Sequence, residues 1–217
     1  MISTELSDSV RDLRYLLDRG YPRDSAVTFV ANHYRLKLDE RHLLARCVFS
    51  RAEILSYRAK AVSSTKVRGK SLGIDGYNVL ITVESILTCK QVVKCDDGYI
   101  RDLRAIFGKY RASSVTARAL AEILKTISRW KPMEVVMMFD SQISRSGELA
   151  AEVRRMLKQF EIIGDAKAVA GVDFKVRGFD VVASGDRAII DRVKVVWDLP
   201  AEILKKRKAK IVDLTKV

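Results

Sequence analysis

The sequence predicts an α/β protein: a Rossmann-like parallel-sheet domain preceded by a small all-α helical bundle. Two observations lead there. After residue 70, apolar strand-like runs alternate with helical stretches, the pattern of βαβ crossovers. Before residue 60 the apolar periodicity is helical throughout. At 217 residues and 48% hydrophobic composition the chain is long and apolar enough to bury a real core.

The helical part reads in order. Val10, Leu13, Leu16 and Leu17 share a face, and Gly20 then Pro22 stop that helix. Ala26, Val27, Phe29, Val30, His33 and Tyr34 mark a second. Asp39 is placed to cap a third, with Leu43, Leu44, Cys47 and Val48 inward. Ser50 and Glu53 have capping-box spacing and open a fourth, carrying Ile54, Leu55 and Tyr57. Residues 1–62 are therefore a helical domain, the small, polar and basic stretch 63–70 a linker, and 71–217 the α/β domain with a basic C-terminal segment.

Within the α/β domain the pattern predicts a strand over 72–75, a helix over 79–87 and a hairpin around 89–95. A helix over 115–130 follows, with Val115, Ala119, Ile123, Ile127 and Trp130 at helical spacing. Next come a strand over 134–139, a helix over 148–160, strands over 167–170 and 180–183, a helical turn at 187–192 and a strand over 194–197. The end is basic (Lys205-Lys206-Arg207-Lys208) with a β-like run, Lys210-Ile211-Val212. It is either a sheet-edge strand or a phosphate-contacting tail.

Lys and Arg outnumber Asp and Glu by 40 to 27, a net charge of +13. Residues 1–66 hold 12 basic and 8 acidic side chains, so the remainder holds 28 and 19, a net of +9. That excess favours a polyanion partner, usually nucleic acid, over a merely solvated lysine-rich surface. Two Asn and three Gln fit a thermophilic source. No apolar run approaches the ~20 residues of a membrane helix, and the first residues lack a secretory pattern, so a cytoplasmic protein without a membrane partner is expected. Three cysteines without a CxxC pair, and two histidines in the helical part, offer no zinc site or Ser-His-Asp chemistry.

The chemistry rests on acids at strand ends. Leu72-Gly73-Ile74 runs into Asp75-Gly76-Tyr77-Asn78. Val135-Val136-Met137-Met138-Phe139 ends in Asp140, and Val181-Val182-Ala183-Ser184-Gly185 leads to Asp186. In one parallel sheet these carboxylates gather at the C-terminal edge, where α/β proteins place their sites. Two carboxylates about 4 Å apart repel by on the order of 4 kcal/mol at an effective dielectric of 20. A cluster thus calls for a cation, and hard oxygen ligands suit Mg²⁺ or Mn²⁺. Each acid also has a structural alternative: Asp75 as a turn or helix cap, Asp140 as a partner of Arg145, Asp186 as a cap beside Arg187. Asp173 is a weaker candidate. Asp97 in Asp96-Asp97-Gly98 is either a turn residue or a further metal ligand. Ser144 and Arg145 sit where a phosphate is held near a helix start. No Walker A loop, G-x-G-x-x-G or G-x-S-x-G occurs.

These residues together resemble a PIN-like nuclease of the branch related to NYN domains. The resemblance rests on Gly73-Ile74-Asp75-Gly76-Tyr77-Asn78, on the run ending in Asp140, and on Ser184-Gly185-Asp186-Arg187, over about residues 70–200. It implies a Rossmann-like sheet and Mg²⁺- or Mn²⁺-dependent RNA cleavage. Asp75, Asp140, Asp186 and Asp97 are then metal ligands, and Asp173 an auxiliary acid. Asn78 and Ser184 orient neighbours, while Ser144, Arg145, Arg187, Lys205 and Lys206 contact phosphate. The family also places an acid on a helix after the first strand, a role for which Glu84, Asp97, Asp102 and Glu122 compete. The helical part, with Leu16-Leu17-Asp18-Arg19-Gly20-Tyr21-Pro22 and Ala31-Asn32-His33-Tyr34, is similar to that of an uncharacterised, largely archaeal family coupling such a bundle to a PIN-like domain. A non-catalytic RNA-binding module on a degenerate PIN-like fold is the alternative. A partner protein or a second copy of the chain is the alternative occupant of the helical part.

Overall fold

The computed structural model describes residues 3–103 and 110–217. Along the chain run α1 (Thr4–Asp18), α2 (Arg23–His33), α3 (Leu38–Cys47), α4 (Arg51–Lys60), β1 (Ala61–Val62), β2 (Ser71–Asp75) and α5 (Gly76–Leu87). Then come β3 (Val92–Lys94), β4 (Ile100–Asp102), α6 (Ser114–Trp130), β5 (Glu134–Asp140), α7 (Ser146–Gln159), β6 (Gly164–Val169) and α8 (Val172–Lys175). Finally come β7 (Val181–Ala183), α9 (Arg187–Arg192), β8 (Val196–Trp197), α10 (Leu199–Leu204) and β9 (Ile211–Asp213). The α/β class with a four-helix N-terminal region is as the sequence predicts.

The described residues divide into two compact units: 3–59, 91–103 and 210–217 in one, 60–90 and 110–209 in the other. In the second, six parallel strands lie in the order β1-β8-β7-β2-β5-β6. From β2 the chain moves outward through β5 to β6, then returns to β7 and moves the other way to β8. The switch in direction falls between β2 and β7, where doubly wound sheets open a crevice at their C-terminal ends. Leu72, Ile74, Val135, Met137, Phe139, Val181 and Ala183 share one core with Leu80, Val83, Leu120, Ile123, Ile127, Val153 and Leu157 of the helices. Gly73, between two of these, lies under the Phe179 ring; a Cβ there would come within 2.6 Å of it. Both sheet faces are covered, which is why the strands read as continuous apolar runs.

The end of the predicted helical domain and the stretch read as a linker are both built into this unit. Ala61 and Val62 pair with Val196 and Trp197. Ser64 donates to Glu202 at 2.8 Å and accepts from the Trp197 indole at 3.1 Å. Two apolar strand residues and one buried serine are too short a signal to separate from linker composition.

The first unit joins α1–α4 to a three-stranded sheet, β4-β3-β9. The hairpin lies further along than predicted. Its strands are β3 and β4, and the Asp96-Asp97-Gly98 segment forms the turn, with Gly98 at φ 91°. The C-terminal run is a strand: β9 pairs in parallel with β3. At α4, Ser50 and Glu53 close the expected capping box, with the Ser50 N–H donating to Glu53 at 2.9 Å. At α3, Glu40 rather than Asp39 serves the helix start, accepting from the Lys37 N–H at 2.8 Å. Among the described residues no helix is long and apolar enough to cross a membrane.

Candidate active site at the sheet edge

β2 ends at Asp75, and α5 starts at the very next residue. That abrupt turn requires Gly76: a Cβ there would lie 2.6 Å from the Phe139 ring and 2.7 Å from the Met138 carbonyl oxygen. The Asp75 side chain does not cap α5. It reaches across the switch point, where the Ser184 hydroxyl donates to it at 2.9 Å. Ser184 in turn accepts the Asp186 N–H at 3.0 Å, and the Asn78 side-chain oxygen accepts the Gly185 N–H at 2.7 Å. Asn78 and Ser184 thus pin the loop after β7 to the start of α5. The sequence reading gave both an orienting role; in the structure both make hydrogen bonds around Asp75 and the loop after β7.

Asp75 is held in a demanding setting. Burial and the nearby charge of Asp186 push its carboxyl up to about 7; the Ser184 hydroxyl and the Asn78 N–H oppose the rise, and Asp140 adds to it. Burial is the main cause of the rise; the charges of Asp186 and Asp140 add to it, which places both acids near Asp75.

They do not close on one point. Asp75 lies opposite Met138 in the ladder, so Asp140 is two residues further along β5, about 7 Å at 3.3 Å per residue. Its carboxylate accepts the Gln142 N–H at 2.9 Å. Asp186 uses one oxygen to cap α9, accepting from Ala188 at 2.6 Å and Ile189 at 3.4 Å. Among the described residues no group of three His, Cys, Asp or Glu is gathered so as to hold a metal ion. The donor set still suits a hard cation of the Mg²⁺ type, which commonly takes one or two carboxylates and leaves its other positions to water and substrate phosphate. Asp75 with Asp186 or Asp140 offers that much.

The other candidates are placed as follows. Asp173 sits at the start of α8 and pairs with Arg192 of α9 at 2.8 Å. Arg187 is exposed in the first turn of α9, next to Asp186. Ser144 and Arg145 are exposed in the loop between Asp140 and α7; Arg145 pairs with Glu148 at 2.7 Å rather than with Asp140. Lys205 and Lys206 follow α10, and Lys205 is tied to Glu202 at 2.8 Å. That basic run is remote from the acids. The Lys208 carbonyl accepts a long contact from Cys89 just past the far end of α5, and α5 is about 18 Å long. Lys205 and Lys206 are therefore not part of the sheet-edge site. Asp97, expected as a metal edge, belongs to the other unit. There it makes a buried bidentate pair with Arg101 at 2.8 and 2.5 Å and accepts the Tyr99 N–H, as the turn alternative requires.

The helix-acid candidates have partners of their own among the described residues. Glu84 lies eight residues into α5, about 12 Å from its start. It is buried and accepts from Tyr110 at 2.6 Å and Thr116 at 2.8 Å, which ties the segment before α6 onto α5. Glu122 pairs with Arg207 at 2.8 Å, and Asp102 of the first unit with Arg46 at 3.9 Å.

Beside Asp140 lies a cleft that joins the predicted Ser144 and Arg145 to residues the sequence did not flag. Its volume is about 720 Å³, and Tyr77, Tyr110, Arg111, Ala112, Ser144, Arg145 and Leu149 form its walls. Tyr77 packs edge-on against Phe139, with ring centroids 5.1 Å apart. Burial, and then the charge of Asp140, push its hydroxyl to about 12. Tyr110 and Arg111 belong to no motif; an aromatic-cation pair just before a capped helix was the only signal.

Fold and site together define a doubly wound α/β domain with an acidic centre at its topological switch point. The chain belongs to the family described as domain of unknown function DUF5616, which matches residues 64–202. Residues 5–60 match a second description, protein of unknown function DUF434. The chain is similar to an uncharacterized protein of the archaeon Methanocaldococcus jannaschii, with 36% identity over 92% of this chain and 96% of that one.

Proposed function

We propose that this protein is a metal-dependent ribonuclease that hydrolyses RNA phosphodiesters at the sheet edge. One observation carries the reading: Asp75, buried at the switch point of a strongly basic chain, feels the negative charges of Asp186 and Asp140 from the neighbouring strand ends. Such repulsion favours binding of a cation, and the basic surface favours a polyanionic substrate. Asp75 and one neighbouring acid would hold Mg²⁺ or Mn²⁺, which when bound supplies the positive charge that offsets developing charge on phosphorus oxygens.

The chain's own groups do the rest. Ser184 donates to Asp75 and fixes its orientation. Asn78 holds the Gly185 N–H, so the loop carrying Asp186 keeps its distance from α5. Arg187 and Arg145 flank the acids from the first turn of α9 and the start of α7 and contact phosphates. Asp140, which spends one oxygen on the Gln142 amide, keeps the other to accept a proton from an attacking water.

Incubation of single-stranded and structured RNA with Mn²⁺ tests the proposal, with wild type compared against Asp75→Asn. Cleavage by wild type and a loss of at least about a hundredfold in the variant are expected, on the scale of losing one metal ligand or positioned group. Equal rates in the two, or no cleavage by either, would overturn it. A non-catalytic RNA-binding module is the second reading. The lack of a three-acid metal group among the described residues favours it, and it predicts salt-sensitive RNA binding that survives chelation without cleavage.

A further inference from the structure

We infer that the cleft beside Asp140 seats one unpaired nucleotide of an RNA strand, which makes single-stranded RNA the substrate class. The inference rests on the ribonuclease reading for its choice of polymer, but the cleft itself is a separate feature. At about 720 Å³ it is within the size range of sites that enclose a small organic ligand. Its lining combines what a nucleotide needs. Exposed Ala112 and the small uncovered parts of the otherwise buried Tyr77, Tyr110 and Leu149 form the apolar wall for a base, while Arg111, Arg145 and Ser144 give cationic and hydroxyl groups for a phosphate. Both tyrosine rings are held rigidly. Their centroids are 5.1 Å apart, Tyr77 leans on Phe139, and the Tyr110 hydroxyl is fixed by Glu84 and Thr116. The wall is thus preformed.

The two arginines are available. Arg111 is exposed, and Arg145 is held by an exposed pair with Glu148, an interaction weak enough for a phosphate to displace.

The position ties the cleft to the acids. Tyr77 is two residues from Asp75, and its ring rests on Phe139, the residue before Asp140. Ser144 and Arg145 follow Asp140 by four and five residues. A strand whose scissile phosphate lies at the acids would drop an adjacent nucleotide here. A base inside a duplex cannot enter a concave cleft without leaving its stack, so unpaired segments are selected.

The test is binding of a fluorescently labelled octaribonucleotide to the full chain in EDTA, against the same sequence annealed to its complement. Single-strand binding at least about tenfold tighter than duplex binding is expected, the scale of one stacked base. Ala112→Trp fills the cleft without changing charge, and Arg111→Ala removes a cation; each should weaken single-strand binding about tenfold. AMP should compete at lower concentration than inorganic phosphate. Equal affinity for the two RNA forms, unchanged affinity in Ala112→Trp, or equal competition by AMP and phosphate would overturn the inference. Because binding is read without metal, failure of cleavage leaves this result standing. Cleavage with an indifferent Ala112→Trp sinks the cleft alone.

Discussion

At the residue scale, Asp75 is a buried carboxyl held far from its ordinary range. Its folded carboxyl is raised to about 7, against an ordinary value of 3.8. Below about pH 4 the group is protonated in both the folded and unfolded chain and has no effect. As pH rises toward about 7 the unfolded chain releases the proton and the folded chain keeps it, so stability is lost, and the loss levels off above that. A rise from 3.8 to about 7 corresponds to on the order of 4 kcal/mol. In the metal-free protein, Asp75→Asn should therefore match wild type in Tm near pH 4 and exceed it increasingly up to about pH 7. Adding Mn²⁺ at pH 8 should raise the Tm of wild type and not of the variant. A constant Tm difference across this range would show that Asp75 is not strained by charge. The sequence revealed which acids end strands. It did not reveal that Asp186 gives an oxygen to its own helix or that Asp140 lies two residues past the register of Asp75. Capping is local and was weighed as an alternative; register is set by strand pairing, which one chain read alone does not display.

At the scale of elements, the β2–α5 junction was the most legible feature, because a strand entering a helix with no intervening loop needs a residue without a Cβ. Gly76→Ala should destabilise the protein by about 2 kcal/mol, the usual cost of forcing atoms into a packed core, since both the Phe139 ring and the Met138 carbonyl block the new methyl. The exposed Gly147 in α7 has nothing within 4 Å of the corresponding position. Gly147→Ala should therefore be neutral or stabilising by about 0.5 kcal/mol. Denaturant midpoints of the two variants measure the contrast, and equal shifts would contradict the packing argument. Elements with strong periodicity were equally legible: α6 and β5 fall within a residue of their predicted bounds. β1 and the hairpin were not. β1 is a two-residue strand whose identity comes from pairing with β8. The hairpin is positioned by the Asp97–Arg101 pair buried across its turn, and in sequence that pair reads as ordinary surface charge.

At the scale of the whole molecule, sequence order and structural membership diverge. Segments 91–103 and 210–217 belong with the N-terminal helices, although the composition shift near residue 70 suggests one boundary only. The physical cause is a set of partners far apart in sequence. Arg14 of α1 binds the Asp96 carboxylate at 2.9 and 2.5 Å and the Leu214 and Val217 carbonyls at 2.7 and 2.6 Å. Asp96 also accepts the Phe49 N–H at 3.2 Å, and its carbonyl accepts from Arg58 at 2.8 Å. One buried acid thus gathers α1, the segment after α3, α4 and the hairpin, while β9 completes the ladder on β3 and Leu214 is fully buried. Deleting 210–217 would strip β3 of a strand, open the site of Leu214 and leave two Arg14 donors without acceptors, each costing about 1–3 kcal/mol where water cannot replace them. The expected result is selective. In hydrogen exchange, Val92–Lys94 and the helical amides of α1 should lose protection, while β2 and β5 keep theirs because their ladder and core lie wholly in the other unit. Protection unchanged in β3 and α1 would mean that the C-terminal strand is dispensable. Equal loss in β2 and β5 would mean that the two units unfold as one, and that the nuclease reading must treat the helical part as structurally required by the sheet-edge site.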